Sequence, residues 1–140
     1  MRAETYMKRY REAKTEIERM KSEIREVKAF AEAKGIDTTR EPVQSNNTYD
    51  VVGTVAAKAA DLESELREKI FNAFSLLEEI HAVITEVENE KERDLLTRRY
   101  IEGLSWEQAA DEMHISRRNI WRIRERAHES VERILNEQHL

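Results

Sequence analysis

The sequence predicts an all-α protein, in which a long antiparallel helical hairpin or coiled coil is followed by a small helix-turn-helix domain. Three observations predict it. Glycine and proline number three and one in 140 residues, while charged residues reach 38% and Glu, Arg, Ala, Lys and Leu dominate, the composition of long or coiled helices. Apolar residues recur at alternating spacings of three and four through two long stretches. Five arginines then crowd into the twelve residues "SRRNIWRIRERA", 116–127, with Glu125 the single acid among them.

The first long stretch carries Tyr6, Tyr10, Ala13, Ile17, Met20, Ile24, Val27 and Ala31, a heptad seam. It predicts one helix over residues 3–34, closed by Gly35 at the position after the C-cap, where a left-handed backbone is favoured. Residues 35–50, "GIDTTREPVQSNNTYD", hold the one proline, two adjacent asparagines and scattered Ser and Thr, and read as a flexible connection. Asp50 is the expected N-cap of a second helix nearly as long as residues 51–89. Its seam runs through Val52, Val55, Ala59, Leu62, Leu66, Ile70, Ala73, Leu77, Ile80, Ile84 and Val87, with one extra residue near Ile70 that shifts the register locally. Two such helices can fold back on each other, and each can bury its stripe against a second chain; a homodimer is the expected assembly. Whether the helices pair within one chain or between two stays open.

A third pattern begins after Glu86, Glu88, Glu90 and Glu92, and its helices are short. Leu95, Leu96 and Tyr100 share one face of a helix that Gly103 ends. Ser105 and Gln108 form a capping box at the start of the next helix, whose buried side is Trp106, Ala109, Ala110 and Met113. Only "HIS", 114–116, separates Met113 from the arginine-rich segment, and Ser116 caps the helix that starts there. So tight a turn forces two helices to cross steeply, with small Ala109 and Ala110 permitting close approach and Ile115 plugging the corner. This is the helix-turn-helix pattern. The expected division is therefore residues 1–89 as a helical assembly region and 90–140 as a DNA-binding domain.

At 100° per residue, Ile120, Ile123, Ala127, Val131 and Ile134 fall on one side of the last helix. Arg118, Trp121, Arg122, Glu125 and Glu129 fall on the other, basic first and acidic later. That polarity suits a helix whose N-terminal residues meet base edges while its far end leaves the duplex. Arg118 and Arg122, one turn apart, can each offer a bidentate fork to guanine, about 1–3 kcal/mol of discrimination per good pair. Asn119 is a candidate adenine reader, and Trp121 either stacks on DNA or packs against Arg117. Arg117, Arg98 and Arg99 are candidate phosphate contacts. The chain's net charge of -5 does not oppose this, since residues 90–140 hold 10 Lys and Arg against 11 Asp and Glu while 116–127 carry a local excess of four positive charges.

"YIEGLSWEQAADEMHISRRNIWRIRERA" resembles the helix-turn-helix of bacterial sigma-factor region 4: Gly-Leu-Ser or Thr, an apolar residue, Glu-Glu, a short turn, Ser or Thr-Arg and a basic recognition helix. The whole chain, with long paired helices ahead of "LLTRRYIEGLSWEQAA", resembles phage and prophage regulators of the ArpU and RinA late-activator type. The resemblance implies that Arg117, Arg118, Trp121 and Arg122 read a promoter's upstream element. An acidic base reader common in that family is replaced here by Arg118, which implies a different preferred sequence. The resemblance also implies a regulator that does not initiate transcription alone, because the chain has no room for an aromatic-rich promoter-opening domain.

Other function classes find little support. Cysteine is absent, which excludes disulfides and thiolate metal sites. His81, His114, His128 and His139 show no metal-ligand spacing, and His128 with Glu132 one turn on reads as a surface contact. Without a phosphate-binding glycine loop, a nucleophile elbow or an enclosed carboxylate pair, neither an enzyme nor a cofactor is expected. No apolar stretch approaches the length of a membrane span, so the expectation is a cytoplasmic protein whose partners are double-stranded DNA, a second copy and RNA polymerase. Two rival readings share these features: a small terminase-like DNA-packaging subunit, and a coiled-coil adaptor that binds RNA polymerase and barely touches DNA.

Overall fold

The computed structural model describes residues 2–35 and 49–138. Among these the secondary structure is helical throughout: α1 (Ala3–Met7), α2 (Arg9–Ala33), α3 (Tyr49–Glu86), α4 (Glu90–Leu96), a π-helical turn (Thr97–Ile101), α5 (Trp106–Glu112) and α6 (Arg117–Gln138). Of the expected connection at 35–50, residues 36–48 lie outside the described residues, and the expected cap Asp50 is already inside α3, which begins at Tyr49. The helix predicted over 3–34 is interrupted once, by a turn at Lys8, where the Arg9 guanidinium donates to the Tyr6 carbonyl and stacks on the Tyr6 ring at 4.1 Å. Gly35 ends α2 as expected, at φ +72° with its N–H donated to the Glu32 carbonyl. No helix among the described residues is long and apolar enough to cross a membrane.

The chain divides into two compact units, Lys14–Asn72 and Met1–Ala13 with Ala73–Leu140. In the first, α2 and α3 run antiparallel. Glu16 meets Lys69 at 3.8 Å and Lys28 meets Glu63 at 2.7 Å, so residues advancing along one helix face residues retreating along the other. Between them Ile17, Met20, Ile24 and Ala31 are buried with Ala56, Ala59 and Leu62. The pairing that the sequence left open is thus made within one chain. Ile70, expected in the seam, is instead 45% exposed, because the register shift turns it away just where it occurs.

The second unit does not respect the expected boundary at 89 and 90. Ala3 and Met7 of α1, Ile80, Val83 and Ile84 of α3, and Val87 form one buried cluster with Leu96, Tyr100, Ala127, Val131, Ile134 and Leu135. The ends of the long helices are therefore part of the core beneath α6. Burial decides the difference: the apolar side of α4 and α6 is covered by α1, Tyr10 at the start of α2, the last turns of α3 and Val87. Polar ties lock the same joint. The Ala3 N–H donates to Glu132, and Arg93 donates to the Val87 and Glu88 carbonyls at 2.6 and 2.7 Å. Buried Glu92 accepts a 2.7 Å hydrogen bond from Ser130 Oγ. Its backbone N–H is capped by the Asn89 side chain.

Two outcomes follow from this shared core. Met7→Ala will lower the unfolding free energy by about 2–5 kcal/mol, read from urea denaturation followed by tryptophan fluorescence. A fragment of residues 90–140 will lack a cooperative transition in the same measurement, since half the buried side chains of the larger cluster will be missing.

Candidate nucleic-acid interface

The helix-turn-helix is built from short-range rules that agree with one another. Ser105 Oγ accepts the Gln108 N–H at 3.0 Å and the Gln108 side chain accepts the Ser105 N–H at 2.9 Å, the reciprocal capping box that starts α5. α5 ends in a Schellman turn: the Ile115 N–H reaches the Ala110 carbonyl at 3.0 Å and the His114 N–H reaches that of Asp111 at 3.2 Å. His114 occupies the left-handed position at φ +56°, a conformation that glycine takes at less cost. Ser116 then caps α6, its hydroxyl accepting the Asn119 N–H at 3.2 Å.

Packing sets the roll of α6. Ile120 is buried with Leu95, Ala109 and Ala110, and half-buried Met113, Ile115 and Ile123 close over them. Further along, Ala127, Val131 and Ile134 enter the larger cluster. With one side fixed at both ends, Arg117, Arg118, Asn119, Trp121 and Arg122 all stand exposed, and so does Ser116. Among the described residues, Arg117, Arg118 and Arg122 have no carboxylate partner, although Glu125 and Glu129 lie within a turn or two. Those cations are available. Glu125 and Glu129 continue the same exposed side, so the face runs from basic to acidic along the helix.

Residues 89–133 match the family model of sigma-70, region 4. That family is a DNA-binding helix-turn-helix domain, and the match covers about a third of the chain, from the Asn89 cap to Arg133. No curated protein and no solved structure matches the chain. Within the region 4-like domain, α5 and α6 take the places of the two helices of the motif.

Other expected residues are placed differently. Arg98 does not join the exposed face: it is paired with Asp94 at 2.8 Å and with Glu112, so a phosphate would have to displace two carboxylates. Arg99 donates to the Leu104 carbonyl at 3.0 Å and lies over the Trp106 ring, and burial lowers its pKa from the ordinary value. Both stand on the π-helical turn, which the Glu102 N–H closes by bonding to the Thr97 carbonyl five residues back. Arg124, counted in the sequence as part of the cluster, is wedged between Trp106 and Trp121, with its guanidinium 5.0 and 4.9 Å from the two rings. Trp121 therefore rests on Arg124 rather than on Arg117, leaving 46% of its surface exposed beside Arg122.

His128 is corrected most sharply. It is half-buried, in ring contact with Tyr100 and Trp106, and its Nε2 lies 2.7 Å from the Tyr100 hydroxyl. Burial pushes the Tyr100 phenol up to about 12, while burial and then the Arg124 charge push the His128 pKa down. At neutral pH both groups are thus uncharged, and either the phenol or the imidazole N–H donates according to the ring tautomer. Glu132, its supposed surface partner, is engaged with Ala3 instead.

Sequence reasoning missed one basic neighbour, Lys91, and gave Arg126, one of the five clustered arginines, no contact of its own. A groove of about 720 Å³ lies between the start of α4 and the head of α6, lined by Lys91, Arg122 and Arg126 with Ser116 and Asn119, and on the α4 side by Glu90 and Glu92 as well. Lys91 is twenty-five residues from Ser116, and nothing in its own helical pattern announces it. Only the packing of α4 on α6 does.

His128 gives the domain a pH dependence of defined sign. Its folded pKa is depressed below the unfolded value of about 6.5, so the unfolded chain binds the proton more readily. Its contribution is complete above that value and declines as pH falls through it. Melting temperature will therefore drop between pH 7.5 and 5.5, and His128→Asn will flatten that slope, as read by circular dichroism. His114→Gly will raise the melting temperature by relieving the left-handed backbone, equivalent to about 0.5–1 kcal/mol.

Proposed function

We propose that the protein is a sequence-specific, dimeric DNA-binding transcription regulator, an activator of phage or prophage genes acting in the cytoplasm together with RNA polymerase. The observation that carries the DNA-reading part is the exposed, carboxylate-free set Arg117, Arg118 and Arg122 at the capped head of α6. Three guanidinium groups without internal partners would repel one another on a free surface and are compensated by a polyanion. α6 enters the major groove with its first two turns. Arg118 and Arg122 read guanine, Asn119 reads adenine, and Trp121 covers a sugar or thymine methyl. Arg117 holds a phosphate at the head of α6, and Ser116, Lys91 and Arg126 hold phosphates along the groove they line.

Arg98 and Arg99 take a supporting part in this reading. Through Glu112 and the Trp106 ring they hold α5 against the π-helical turn, which positions α6 rather than touching DNA. The phage setting and the activator sign rest on the resemblance of the whole layout to late-gene regulators. The DNA-reading part is supported by the region 4 match.

Selection of bound duplexes from a random pool, followed by fluorescence anisotropy, tests the proposal. Arg122→Ala will cost about 1–3 kcal/mol on the selected site and relax preference at one base position. Arg117→Ala will weaken all duplexes alike and reduce the salt slope by about one unit, whereas Arg98→Ala will leave that slope unchanged. Equal affinity of the intact protein for selected and random duplexes would overturn the reading.

A further inference from the structure

α3 carries an exposed stripe that none of its packing explains. Phe71 is 69% exposed and Phe74 56%, the two most exposed large apolar side chains among the described residues. Solitary exposed apolar residues are ordinary, but these two are adjacent on one helix face and are framed. At about 100° per residue, Arg67, Phe71, Phe74 and Glu78 fall within an arc of about 60°, a single straight line along the helix. Arg67 closes one end and Glu78 the other, both exposed and both without an ion-pair partner among the described residues.

The order of these four residues is its own complement. A second α3 laid antiparallel, about a two-fold axis midway between Phe71 and Phe74, sets Phe71 against the partner copy's Phe74. The same operation sets Arg67 against the partner copy's Glu78, and it does so twice, as an isologous interface must. A parallel alignment would instead oppose arginine to arginine and glutamate to glutamate. Charge therefore selects one direction. Beyond the charges, exposed Ala60 and Ala82 extend the line with small side chains, which let two helix axes approach to the usual 8–10 Å or so.

We infer that this stripe is the surface through which two copies of the chain associate, by antiparallel packing of α3 on α3. The inference deepens the dimeric reading above and rests on it, and it is independent of which bases α6 reads. The occupant it names is a second copy, because the pattern Arg-Phe-Phe-Glu satisfies itself and leaves no charge unmatched.

Sedimentation equilibrium of the intact chain, with circular dichroism to verify folding, tests it. The protein is expected to be a dimer. Glu78→Arg, which creates two like-charged contacts, is expected to raise the dimer dissociation constant about tenfold or more. Adding Arg67→Glu to that variant is expected to restore the dimer, since it recreates both pairs with exchanged signs. Phe71→Ser with Phe74→Ser is expected to give monomers. A monomeric wild-type chain, leaving the stripe to another kind of protein, would overturn the inference, as would a dimer indifferent to Glu78→Arg or a double exchange without recovery. Anisotropy on the same samples keeps the two readings apart: a Glu78→Arg monomer that still prefers the selected sequence upholds base reading by α6, whatever becomes of the dimer.

Discussion

The roll of α6 depends on Ile120 sitting against Ala109 and Ala110. Both alanines are buried, and their small side chains let α6 come close enough for Ile120 to fill the space above Leu95. Burying such a side chain contributes about 1.5–3 kcal/mol, and turning the helix by even one residue would expose it while burying a guanidinium. Both changes are unfavourable, so the angle is fixed. Everything on the opposite side, from Arg118 to Glu129, is exposed as a consequence of that angle.

The second anchor of α6 comes from farther away in the chain. Val131, Ile134 and Leu135 meet Met7 of α1 and Ile80, Val83 and Ile84 of α3, so one helix serves two cores, at its head and along its tail. A domain of about fifty residues has little volume in which to bury apolar surface, and covering it with helix ends supplied by the rest of the chain enlarges the core. The Glu92–Ser130 hydrogen bond lies between the two cores and satisfies a buried carboxylate that would otherwise be costly.

Local chemistry was readable from the sequence where the cause is local. Periodicity located the long helices, Gly35 the stop of the first, Gly103 that of the short helical stretch before α5, and Ser105, Gln108 and Ser116 the starts of α5 and α6, because caps and seams depend on residues within a turn of one another. The exposed side of α6 followed from the same arithmetic. What failed depends on partners distant in sequence. Arg98 and Arg124 look like free cations in a string of letters, yet Glu112 and two tryptophan rings take them up. His128 looks like a surface residue until Tyr100, twenty-eight positions away, is brought to its side. Met7 gave no signal either, since its face of α1 departs from the heptad seam that identified the helix.

The side chains of Arg118, Asn119 and Arg122 bond to nothing else within the described chain, while the scaffold beneath them is tied together by Ile120, Ile123 and Ala127. Alternating positions of one helix therefore answer to separate demands. Replacements on the outer positions leave folding nearly untouched, as surface changes generally do. Under the proposed base reading by α6, a lineage carrying this domain can thus acquire new targets by single steps, with no compensating change owed to its interior.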